Sequence, residues 1–223
     1  MDAVGTSLMV IFATPFASVQ LSVSEELNSQ LQRLLETRAT DEYRAAGVRG
    51  NPLYFRSRED LLEWPDAPVQ SLKQQMLGAV AAIVAATNMY SEKEFGDLRM
   101  QARGWFSLVR PNGCIPAASY PQTSWCAIYC VAAPEPAPDR ADSAMLRLYE
   151  TRLANAFTDA STWRMRPPFA YGHHTWRPTR GYMAVFPAAV AHEIALLRGA
   201  GSLLLVTLRV RFATPFQASM PSW

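Results

Sequence analysis

The sequence predicts an α+β fold, mainly β, in which helices come first and an antiparallel sandwich or barrel follows. Two apolar repeats at helical spacing lie before residue 90, and from Met100 onward the texture changes to short β-branched and aromatic runs separated by Pro, Gly and Asn. The first element is a strand over residues 8–16 (LMVIFATPF), stopped by Pro15. Ser24 then offers an N-cap, with Glu25 and Glu26 suited to the positive end of a helix whose apolar positions are Leu27, Leu31, Leu34 and Leu35. A polar, Arg-rich stretch over 47–64 predicts a loop. Asp66 caps a second helix with Val69, Leu72, Met76, Val80, Ile83 and Val84 on its buried stripe.

Five strands are expected in the second half, over 105–109, 125–131, 145–149, 182–186 and 203–212, with a further one in the YGHHTW stretch. The Pro-rich residues 133–138 predict a hairpin loop. The pentapeptide FATPF occurs at 12–16 and again at 212–216, and one short echo carries no functional weight.

The 223 residues, 49% hydrophobic and 18% charged, predict one compact domain over 1–223. A chain of this length buries roughly 70% of its unfolded surface, so neither a disulfide nor a structural metal is needed. Three cysteines at irregular spacing and no signal-peptide pattern predict free thiols and a cytoplasmic protein. The net charge of +2 arises from 21 basic and 19 acidic residues scattered along the chain, which argues against nucleic acid as partner. The Ala-rich apolar run over 76–86 is too short to span a bilayer, so no membrane partner is expected either.

Four segments fall in a recognisable order: WFSLVRPNG at 105–113, WCAIYCV at 125–131, LRLYETR at 146–152 and GYMAVFPAAVAH at 181–192. Together with the early IFATPF strand they resemble a bacterial family of 2-oxoglutarate and iron(II)-dependent oxygenases. That family's pattern runs through a Trp-containing strand, a His-containing loop, an SGVYYV-like strand, a DPR-like turn and G-x-L-x-x-FP-x-x-x-x-H. The resemblance implies a double-stranded β-helix, a jelly-roll or cupin-like barrel flanked by N-terminal helices, with the active site inside. It also implies Fe(II) and 2-oxoglutarate as cofactors, held by two histidines, a carboxylate and an arginine.

This chain keeps the distal histidine of that pattern as His192. The proximal His-x-His or His-x-Asp position reads Ala118, Ser119, Tyr120, and residues 111–134 contain no Asp, Glu or His. The strand expected to read RIS is SLLL at 202–205, which puts Leu203 at the arginine position. No cofactor is therefore expected, and no metal ligand set is assigned.

Other residues also carry groups suited to chemistry. His173 and His174 alternate on a strand, so only one enters the barrel; with His192 it would make an acid/base pair. Arg209 and Arg211 share parity with Leu203, so if Leu203 faces inward Arg209 does too, further along the barrel, where it reads either as a binder of carboxylate or phosphate or as an edge-of-barrel surface arginine. Arg147 and Arg152 read as members of solvated ion pairs. Trp105, Trp125, Tyr129 and Tyr182 are the expected pocket-lining residues. Cys126 and Cys130 share a strand face, and with Cys114 they are the material for an atypical metal site. The leading expectation is an oxygenase-like enzyme that acts on a small metabolite without metal or oxoglutarate, by cyclisation, elimination or isomerisation, in a setting such as natural-product biosynthesis. Its catalytic residues are His192, Tyr120 and His174. The alternatives are a catalytically inactive pseudo-oxygenase that binds a ligand or partner subunit, with a homodimer as one form, and a true oxygenase with atypical ligands.

Overall fold

The computed structural model describes residues 10, 13–135, 140–150 and 172–214. In chain order the elements are β1 (Ala17–Gln20), α1 (Glu25–Thr37), β2 (Tyr54–Arg56), α2 (Ala67–Thr87), α3 (Glu92–Gly96), β3 (Arg99–Val109), β4 (Ile115–Ala118) and β5 (Trp125–Ala132). They continue with β6 (Leu146–Tyr149), β7 (His173–Trp176), β8 (Tyr182–Pro187), β9 (His192–Ile194) and β10 (Leu203–Ala213). The strands form a six-stranded sheet, β1-β8-β5-β10-β3-β2, and a four-stranded one, β4-β9-β6-β7.

Helix α1 starts where Ser24 accepts a hydrogen bond from the Leu27 amide at 3.1 Å, and Leu31 and Leu35 fill its buried stripe. Asp66 precedes α2 as expected, yet it makes no side-chain cap. Its carboxylate is taken by Arg38 at 2.7 and 3.0 Å, which ties the end of α1 to the start of α2. Both helices cover one face of the large sheet. There Val69, Leu72, Met76 and Val80 share one apolar cluster with Leu204, Val206 and Leu208 of β10, each such side chain contributing about 1.5–3 kcal/mol on burial.

The other face of the large sheet closes on the small sheet. Cys126, Ile128, Phe186, Leu203 and Leu205 meet Leu146, Leu148 and Ile194 across the interior. Strand alternation thus gives β5 and β10 two apolar faces, one under the helices and one in the barrel.

The expected strands reappear with small changes of boundary. β3 extends six residues upstream of Trp105 to Arg99. β2 lies inside the predicted loop, and β4 and β9 are short strands the sequence reading does not contain. The expected first strand over 8–16 lies partly outside the described residues; residues 13–16 are not strand, and β1 begins at Ala17. Residues 136–138 of the Pro-rich loop and Pro215 and Phe216 of the second FATPF also lie outside them. No described helix is long and apolar enough to cross a membrane.

Candidate functional site

The site is built where β4 and β9 face the large sheet. β9 is three residues long and alternates, so His192 and Ile194 are buried while Glu193 turns out to pair with Arg147 at 3.2 Å. Leu148 on β6 pairs with His192 on one side and with His174 on the other. His192, Leu148 and His174 therefore share one row on the inner face, with the two histidines about 9.5 Å apart across two strand spacings. His174 is exposed and packs on Phe16, and His173 lies on the outer face beside Tyr149. The expected imidazole pair shares a face without being in contact.

His192 Nδ1 lies 2.9 Å from the Val190 carbonyl oxygen. A carbonyl only accepts, so Nδ1 carries the proton and Nε2 keeps its lone pair. Burial holds the imidazole pKa below its ordinary value, with the Val190 hydrogen bond acting in the opposite sense. The ring is clamped edge-on by Phe186 at 4.9 Å and Tyr120 at 5.5 Å. Tyr120 leaves the end of β4 with its amide bonded to Ala188 O at 2.8 Å. Burial and the nearby Cys126 thiol push its phenol above the ordinary range, against the opposing guanidiniums of Arg56 and Arg209. A neutral imidazole base and a firmly protonated phenol thus stand side by side.

Tyr120 also packs against Trp105 at 5.6 Å. Two cations lie against Trp105, with Arg56 4.3 Å and Arg209 5.7 Å from its ring centre. A cavity of about 30 Å³ lies among Tyr54, Trp105, Ser107, Tyr120, His192 and Thr207. That volume suits one or two waters.

The structure brings His192, Tyr120, Trp105 and Arg209 together. It sets three expected residues elsewhere. Tyr129 faces the helices and donates its hydroxyl to Asn28 Oδ1 at 3.0 Å. Trp125 has the same parity and packs against the helix-side core. Tyr182 shares the inner parity of Phe186 but lies about 13 Å further along the strand, donating to Gln20 at 3.2 Å. Trp125 and Tyr129 are odd-numbered on a strand whose even positions enter the barrel. Aromaticity does not fix the face; strand parity does. Arg56, Glu59 and Ser107 were missed, and the signal available was the alternation of Tyr54 and Arg56 in a run read as loop. Arg152 lies outside the described residues.

Among the described residues, the donors around His192 do not make up the two histidines and a carboxylate of an iron(II) centre. Ala118 is the register partner of His192, so a methyl group stands where the resemblance puts a proximal ligand, and the protonated Tyr120 phenol stands two residues on. Leu203, near where the resemblance puts the oxoglutarate arginine, is fully buried in the apolar interior. Cys126 and Cys130 are buried and their thiols are pushed up by burial, while Cys114 is exposed. Among the described residues no group of three or more His, Cys, Asp or Glu could hold a metal ion.

Two facing antiparallel sheets with helices on one side define this chain as having the double-stranded β-helix of the 2-oxoglutarate/iron(II) oxygenases. It superposes on a Pseudomonas putida prolyl-4-hydroxylase with a TM-score of 0.54 at 17% identity, over 88% of this chain and 91% of that one. It matches the α-ketoglutarate-dependent carbocyclase SnoK at 0.58 and 11% identity, over 89% and 79% of the two chains. The epimerase SnoN, also from nogalamycin biosynthesis, matches at 0.56 and 12%, over 94% and 84%. No protein-family model matches the sequence, and no curated protein matches it.

Proposed function

We propose that this oxygenase-scaffold protein works without iron or 2-oxoglutarate, as an enzyme that isomerises, cyclises or eliminates from a small metabolite. The observation that carries this reading is the replacement of the proximal ligands: Ala118 and Tyr120 face His192 where the resembling family has donors. What remains is acid/base chemistry. His192 Nε2 accepts a proton from the substrate, and the Tyr120 hydroxyl donates one to, or steadies, the oxygen on which charge develops. His174 lies too far from His192 to act on the same atom and contributes only to the far end of a larger substrate. The likeness to SnoN and SnoK, an epimerase and a carbocyclase that are themselves α-ketoglutarate-dependent, favours rearranging chemistry in natural-product biosynthesis.

A second reading, binding of a ligand or partner subunit without turnover, is favoured by the cavity of about 30 Å³, which admits water and not a metabolite unless the mouth opens.

The test begins with metal analysis and an iron titration in the presence of 2-oxoglutarate. No stoichiometric iron is expected, and one iron per chain with oxoglutarate bound would overturn both readings. Turnover of a candidate metabolite that falls at least a hundredfold in His192→Gln, while binding persists, supports the enzyme. Binding with no turnover in the wild-type chain supports the second reading.

A further inference from the structure

We propose that the mouth of the barrel beside the His192 cavity is a binding site for an oxyanion group, carboxylate or phosphate, whose place is taken by the chain's own Glu59. This deepens the small-molecule reading above by naming the chemistry of the ligand, and it stands on different residues. Arg56 on β2 donates from Nη2 to Glu59 Oε1 at 2.5 Å, and Arg209 on β10 donates from Nη2 to Oε2 of the same carboxylate. Each oxygen of one carboxylate is therefore held by a different guanidinium, the arrangement a bound anion would receive. All three side chains are between 16% and 26% exposed, so the cluster is reachable from solvent.

One further feature makes this a site and not an ordinary surface pair. Among the described residues the buried Arg56 Nε–H has no acceptor, a donor left over for a further oxygen. Trp105 and Tyr120 form the aromatic wall against which Arg209 is stacked, 5.7 and 5.1 Å from the two rings. The place differs from that of the oxoglutarate arginine: Leu203 is six residues away along β10, about 20 Å. Exchange of Glu59 for a ligand oxyanion leaves the guanidiniums paired and sets the rest of the ligand toward Tyr120 and His192.

The experiment is calorimetric titration of inorganic phosphate, and separately of succinate, into the full chain at low salt. The wild-type chain is expected to bind one of them weakly and saturably. Glu59→Gln, which removes the competing charge, is expected to bind about tenfold tighter, and Arg56→Lys about tenfold weaker because the fork is lost. Preference for phosphate assigns a phosphate ester, and preference for succinate a carboxylate. Saturable heat from neither anion overturns the proposal, as does Glu59→Gln binding no tighter while its circular dichroism is unchanged. Where Glu59→Gln fails to fold, an affinity unaltered by Arg56→Lys overturns it. Iron retention is read in a separate titration, so failure of this site and failure of the metal-free reading are told apart.

Discussion

At the scale of the residue, one imidazole and one phenol are held in opposite protonation states by the same burial. Burial disfavours the charged form of each, which lowers the His192 pKa and raises that of Tyr120. The sign for stability follows. Above the ordinary histidine value of about 6.5 both folded and unfolded chains carry a neutral imidazole. Below it the unfolded chain takes the proton first, so stability is lost as pH falls toward the lower folded value. The urea midpoint is expected to drop between pH 7.5 and 5.5, and His192→Gln to remove part of that drop; an equal drop in the variant would refute the assignment. His192 and Tyr120 were legible in the sequence because a recognisable string fixed the first and the gap in that string fixed the second. Arg56 and Glu59 were not, because nothing local shows that a carboxylate in an apparent loop accepts both from Arg56 three residues before it and from a guanidinium 150 positions later.

At the scale of the element, helix α1 is bolted to β5 by a buried polar chain: Tyr129 donates to Asn28 Oδ1, and Asn28 Nδ2 donates to the Val131 carbonyl at 2.9 Å. Tyr129→Phe leaves the Asn28 oxygen buried without that donor and is expected to cost about 1–2 kcal/mol in urea unfolding, with anion binding at the barrel mouth unaltered. An accompanying loss of anion binding would place Tyr129 in the pocket after all. Long apolar strands such as β5 and β10 announce themselves by composition. β4 and β9 do not: they are three or four residues long, one contains Pro116, and both exist because the partner strand is already there. The N-terminal half of β3 reads as polar for a similar reason, since Arg99, Gln101 and Arg103 are exposed where the sheet runs past its core.

At the scale of the whole molecule, the architecture was legible from the order of helical and strand-like segments. The direction of each aromatic was not, because strand parity has to be counted from a known inward residue. Among the described residues, Cys126, Ile128, Phe186 and Leu205 fill the interior and the cavity beside His192 is about 30 Å³; side-chain volumes do not reveal that without the register. Strand β10 is bonded to β3 along its whole length and to β5 over most of it, with helices on one side and the small sheet on the other. Solvent deuterium therefore reaches its central amides, those of 204–208, only when both halves of the molecule come apart together. Exchange there is expected to be the slowest in the chain and to report the global unfolding free energy; faster exchange at these amides than in α1 would mean that barrel and helical layer open separately.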